Sequence, residues 1–326
     1  MLILFREILQ QNRGTILLKN LLAITFIAGT SIVFAGGTTN QSSNNSYLSD
    51  IYGQYKISYG SIDFSLYSGD AINSNTEGAN YLPVEFEAWV GKKLSSDLEG
   101  IVRLKYAKYN TLGQKGTTGP DDTPNKVFSA EGMLIKDYSN FTSYSALQYI
   151  RSREFAYNDR TSAEVYHTLF HGSLGGVYSQ SDHNASFIGF GIASTSDETS
   201  SSAYVDEIIY LQLGHNIQIT QSLDFTLQHT EYQYEKKHSE SSDRDGREYQ
   251  YSEAKFNYRY HDYDLGLKFG RIDNNGPDFE HAKADTYMFS ISVPFGSRSS
   301  KRTGLIINNR SDIEFMNGFT AGPTDG

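Results

Sequence analysis

The sequence predicts an all-β protein: a transmembrane antiparallel up-and-down β-barrel of about 12 strands, within a range of 10–14. Three observations carry this. From Ile51 to Phe295 the chain falls into stretches of 10 to 18 residues in which apolar and aromatic side chains hold every second position. The connections between these stretches alternate between short and long. An apolar N-terminal run ends in a small-residue cleavage motif, which directs the chain out of the cytoplasm.

The N-terminal elements come first. Lys19 is followed by an apolar run from Leu21 to Phe34, and Val33 and Ala35 hold the small positions before a cut at Ala35/Gly36. Residues 1–35 therefore read as a secretory signal peptide. Residues 36–50 are polar and read as a flexible periplasmic leader. After the cut, no stretch approaches the 18 apolar residues of a membrane helix. Mean hydropathy is −0.48, a value that alternation produces in barrels because half of each strand is polar. There is no cysteine, so disulfide and thiol chemistry are excluded. The net charge of −10 argues against a nucleic-acid partner.

The barrel is expected over 51–295. Ile51 to Ser68 reads as one strand kinked at Gly60-Ser61. There the apolar set changes parity, from Tyr55, Ile57 and Tyr59 to Ile62, Phe64 and Leu66, as a one-residue bulge would cause. The next strands run through Val84–Val90 and Val102–Tyr106. Further strands are expected near 126–137, 141–151, 163–180, 184–195, 204–219 and 223–236, with blurred alternation between 126 and 180. The last third alternates clearly through Ala254–Tyr260, Leu265–Phe269 and Tyr287–Phe295. Short turns are expected near 95–97, 138–140, 181–183, 220–222 and 261–262. Longer loops are expected near 69–82, 110–125, 152–162, 196–203, 237–247 and 273–284. Short periplasmic turns, longer external loops and an even strand count belong to outer-membrane barrels.

The strand ending at Phe295 resembles the C-terminal assembly signal of Gram-negative outer-membrane proteins, with a terminal aromatic and apolar residues at every second position before it. That resemblance implies the outer membrane as location, and membrane lipid, lipopolysaccharide and the assembly machinery as partners. The chain departs from the pattern by continuing through 296–326, expected to be a periplasmic tail; its 302–315 stretch could also form a further strand. In strand number and charged interior the chain looks like the small porins that pass acidic sugars, or the nucleoside channels. The likeness is architectural, so no residue role carries over.

The inward positions are charged. Arg103, Lys105, Arg151, Arg153, Lys255, Arg259 and Lys268 are the expected basic lining, with Glu85, Glu87 and Glu253 among the acidic residues. So many charges on one face require water or a paired network. A hydrated lumen makes a porin for passive diffusion of small hydrophilic solutes, and an excess of basic residues gives it a mild anion preference. A paired network makes a non-conducting barrel that acts as an adhesin or receptor through its loops.

No catalytic site, metal site or cofactor is expected. The outer-membrane phospholipase type needs a serine and a histidine on neighbouring outward positions, oriented by an asparagine; Ser181-Asp182-His183-Asn184 offers the residue types, but within a turn. Asp121-Asp122 and His261-Asp262 are expected at opposite ends of the barrel and cannot share a substrate. His167 and His171 lie about 13 Å apart along a strand, too far for one metal. Asp243 to Glu248 faintly echoes a calcium loop, but Arg244 and Arg247 oppose it, and a solvated hairpin tip is the expected reading.

Overall fold

Alternation along the chain produces strands whose two faces meet different surroundings, and the structure closes them into a barrel. The structure, a computed structural model, describes residues 51–66, 80–112, 125–156, 163–195, 204–237, 244–274, 282–296 and 300–311. The expected signal peptide and leader lie outside the described residues. Among these residues there are twelve strands: β1 (Ile51–Leu66), β2 (Asn80–Lys93), β3 (Leu98–Leu112), β4 (Asn125–Tyr138), β5 (Phe141–Ala156) and β6 (Ala163–Ser179) form the first half. The second half is β7 (Asn184–Thr195), β8 (Tyr204–Gln218), β9 (Leu223–Lys237), β10 (Arg244–Tyr260), β11 (Tyr263–Asn274) and β12 (Ala282–Gly296). Each strand pairs antiparallel with its sequence neighbours, and β1 pairs with β12 to close the barrel. Closure leaves no unpaired edge, as a strand structure inside a bilayer requires.

The connections alternate as expected. Those at one end of the barrel are two to four residues long and those at the other six to thirteen. Two of them, Ser139-Asn140 and His261-Asp262, are two residues long, and His261 takes φ 53°, a left-handed conformation common in two-residue hairpin turns.

The outer face carries an apolar belt. Tyr55, Ile57, Leu134, Leu174, Leu213 and Leu267, which alternation turns away from the lumen, are each 47–54% exposed on it. Water would make such a surface a liability; lipid makes it the stable arrangement, so the barrel spans a membrane.

Two expectations are corrected here. β1 carries no bulge at Gly60-Ser61, because its register with β12 runs without a shift from Tyr52↔Gly296 to Leu66↔Ala282. Ile62 points inward, fully buried, because the lumen itself is apolar at that depth. Among the described residues, the register shifts on β8, between Val205 and Glu207. The C-terminal tail is not a free periplasmic segment over its described part, nor a strand. It forms helix α1 (Lys301–Asn309), which lies inside the barrel.

Candidate functional site in the barrel lumen

α1 begins with an N-cap. Ser300 is extended, and its Oγ accepts a hydrogen bond from the Thr303 backbone N–H at 3.1 Å. This satisfies one of the free N–H groups of the first turn. Basic residues then tie the helix start to the short-turn rim. Arg302 donates to the Ser139 carbonyl at 2.7 Å, and Lys301 donates to the Asp182 carbonyl at 2.6 Å and to Gln218 at 3.0 Å. Deeper in the lumen, Thr303 donates to Glu99 Oε2 at 2.9 Å, on the oxygen that also accepts from the Tyr52 hydroxyl at 2.5 Å.

The wall that receives α1 is apolar on one side only. Ile306 and Ile307, 3% and 2% exposed, join Trp89, Ile101, Met133, Ile135 and Phe187 in one cluster. The inward residues of β8–β12 at the same end are mostly polar, among them Asn216, Asp224, Asn257 and Asp264. The hydrophobic effect therefore presses α1 against β2–β7 and leaves a cleft along the opposite wall.

The far end of α1 is held by polar contacts. Lys255 donates to the Asn308 carbonyl at 3.2 Å and Gln212 to the Asn309 carbonyl at 2.7 Å, which satisfies two of the orphan carbonyls of the last turn. Arg310 follows, and its guanidinium is buried. It pairs with Glu131, donates to Ser173 Oγ at 2.9 Å, and lies 5.4 Å from the centre of the Tyr144 ring. The hydroxyls of Ser311 and Tyr232 are 2.7 Å apart.

Around this plug the lumen charges are paired. Lys105 lies 3.2 Å from Glu85, and Arg103 lies 3.6 Å from Glu131 across the β3–β4 ladder. Glu253 takes Lys255 at 2.6 Å and Lys268 at 3.8 Å. Arg259 lies 3.6 Å from Asp264. Beside α1 a cavity of about 570 Å³ remains. It extends from the short-turn rim, at Ser222 and Asp262, to the charged middle of the lumen.

Beyond that middle the lumen changes character. Among the described residues, every strand except β2 contributes to an apolar cluster there, which includes Ile62, Tyr109, Ile150, Leu169, Tyr210 and Tyr251, each no more than 2% exposed.

Eight of the ten expected lumen residues line the cavity: Glu85, Glu87, Arg103, Lys105, Glu253, Lys255, Arg259 and Lys268. Arg151 does not. It is exposed between buried Ile150 and Ser152, so alternation turns it to the outer face. The side chain of Arg153 lies outside the described residues. Glu131, Glu99 and Arg310 were not anticipated. Glu131 alternates with Met133 and Ile135, so its strand gave no clean polar face. Arg310 comes from a segment expected outside the barrel.

No protein-family model matches the chain, and no curated protein does either. Solved structures do. The COG4313 outer membrane channel from Pseudomonas putida F1 superposes with a TM-score of 0.58 over 78% of this chain and 100% of that one, at 13% identity. The fold is that of Gram-negative outer-membrane barrels. Two further similar structures are the NanC porin (TM-score 0.47, 9% identity, 73% of this chain and 98% of that one) and the Pseudomonas putida toluene transporter TodX (TM-score 0.44, 9% identity, 78% and 92%).

Proposed function

We propose that the protein is a channel of the Gram-negative outer membrane for small hydrophilic solutes, held closed by its own C-terminal segment. The observation that carries this is the polar cavity of about 570 Å³ beside α1 inside a closed barrel. Charges on its wall stay hydrated when α1 leaves, so an undocked state costs the wall little. Eight basic and six acidic side chains line the cavity, and two of the basic ones, Lys301 and Arg310, belong to the C-terminal segment, so a mild anion preference is expected while that segment is in place and fades when it leaves. The similar P. putida protein is described as an outer membrane channel, which fits the same reading.

A second reading rests on the apolar cluster in the other half of the lumen. A barrel packed at that level could be non-conducting and act through its long connections as an adhesin or receptor. Planar-bilayer recording separates the two. The full chain is compared with a chain ending at Gly296, both shown to be folded by heat-modifiable mobility. A channel gives rare openings in the full chain and frequent ones in the truncated chain, with a reversal potential under a salt gradient that favours anions in the full chain and is less anion-selective in the truncated one, which lacks Lys301 and Arg310. A folded, truncated barrel that passes no current overturns the channel and favours the receptor.

A further inference from the structure

We propose a second site, on the outer wall of the barrel: Ser252, His229 and Glu231 form a nucleophile, base and carboxylate that cleave carboxylic esters of membrane lipids at the edge of the apolar belt. This site is separate from the lumen and does not depend on conduction.

Ser252 and His229 are direct cross-strand partners on β10 and β9. Both point outward, since their neighbours Tyr251, Glu253 and Thr230 are buried inside. Ser252 Oγ lies 2.8 Å from His229 Nδ1. On the other side of the ring, Nε2 lies 3.7 Å from Glu231 Oε1. A carboxylate at that edge favours the proton on Nε2 and leaves Nδ1 free to accept from serine. The distance is long for a hydrogen bond, as such contacts often are before substrate binds.

The surroundings fit a lipid. Toward the short turns, Ala254 is flanked across the ladders by Leu227 and Phe269, both large and exposed at 52% and 43%. A small residue between two large ones leaves a shallow groove that ends at Ser252. An acyl chain lying in it brings its ester to the hydroxyl. Toward the long connections the outward residues turn polar, with Glu231, Gln250 and Glu248. Arg271 is the cross-strand partner of Ser252 on β11 and sits 3.8 Å from Asp273 and 3.7 Å from Asp285. These two carboxylates hold its guanidinium at the edge of the site.

The chemistry balances with water as the only co-reactant. Ser252 Oγ attacks the ester carbonyl carbon while its proton passes to Nδ1. The carbonyl–alkoxy bond then breaks, and the leaving glycerol oxygen takes the proton from Nδ1, which releases the lysolipid. Water attacks the acyl-serine by the same route and releases the fatty acid. Glu231 acts through the imidazole and is a positioning residue.

A second outward pair, Ser186 and His215, has a 3.0 Å contact. There the serine hydroxyl already accepts from Gln180 Nε2 at 2.8 Å, and among the described residues no carboxylate pairs with His215. It provides an internal control.

The test uses the folded full chain in mixed micelles of phosphatidylglycerol and phosphatidylethanolamine, with lysolipid release read by mass spectrometry and serine reactivity by a fluorophosphonate. The label is expected on Ser252. Ser252→Ala and His229→Ala lower lysolipid release by on the order of 10³-fold or more, while Ser186→Ala leaves it unchanged. Glu231→Gln lowers kcat with KM held. A barrel with native heat-modifiable mobility that neither takes the label at Ser252 nor releases lysolipid overturns the proposal. So does release that persists in Ser252→Ala.

Discussion

Arg310→Ala is expected to undock the C-terminal segment without unfolding the barrel. The guanidinium is buried against Glu131, Ser173 and the Tyr144 ring. Removing one member of a buried pair costs about 3–5 kcal/mol when the other charge is stranded. Here Glu131 keeps Arg103 at 3.6 Å, so the lower end applies, about 3 kcal/mol, a factor of about 10² in the docked-to-undocked ratio. Glu131→Gln removes the shared carboxylate and leaves Arg103 and Arg310 facing each other, so it should undock more than Arg310→Ala does. Because the two residues are in direct contact, the double variant falls short of the sum of the singles. The assay is limited trypsin digestion of the folded barrel. Lys301 and Arg302 are bonded to the rim when α1 is docked and become cleavable when it is not, so cleavage should speed up by about the same 10². Unchanged cleavage in both variants, with folded barrels, would refute the assignment of Arg310 as the latch.

Three other outcomes follow from single contacts. Trp89 is the one tryptophan; it packs in the cluster with Ile306 and Ile307 and donates to Gln54 at 3.2 Å. Its emission should shift to the red in Arg310→Ala, and the shift should vanish if the variant is still docked. A Cβ on Gly191 would sit 2.3 Å from the Tyr210 ring and 2.7 Å from His171 Nε2, so Gly191→Ala should cost about 1–3 kcal/mol in urea unfolding. In the β2–β3 turn, the Ser95 hydroxyl donates to Asp97 at 2.7 Å and holds the Asp97 pKa below the ordinary carboxylate value, with Lys136 helping at 3.8 Å. The depressed folded pKa means that this contribution is present above the unfolded pKa and lost as pH falls through the folded one. Ser95→Ala should move the Asp97 titration upward by NMR; an unmoved curve would assign the shift to Lys136 instead.

The strands were legible because lipid enforces alternation, and the turns because hairpins at one end must be short. Part of what escaped the sequence has one physical source: the assumption that the inside is polar along its whole length. Ile62 changed parity because the lumen is apolar at its depth, with no bulge in the backbone. Arg151 was assigned inward because β5 carries apolar residues on both faces, and Ile150, buried completely, holds the inner one. α1 was missed because Leu305, Ile306 and Ile307 are consecutive, which marks no face of a helix until a wall is supplied. Ser252 and His229 stand 23 residues apart and meet only through the β9–β10 register, which alternation leaves open. The lumen charges on β2, β3, β10 and β11 were found because those strands keep polar and apolar residues on separate faces.

The way α1 is held bears on what it is for. A permanent core would be held more firmly by apolar contacts, since a buried ion pair rarely outweighs the cost of drying its charges. α1 has such contacts at Ile306 and Ile307, with Leu305 partly buried beside them. The rest of its attachment is polar: Lys301 and Arg302 at the rim, Thr303 on Glu99, Asn308 and Asn309 through Lys255 and Gln212, and Arg310 on Glu131. Each of these wall groups has a second protein partner or can take water when the helix leaves. Glu99 keeps Tyr52, Glu131 keeps Arg103, and Lys255 keeps Glu253. An undocked α1 would therefore strand few buried charges, and the difference between the two states rests on Arg310 and the short apolar run Leu305–Ile307. Such an interface is specific in register and modest in net strength, the combination that lets a segment leave and return.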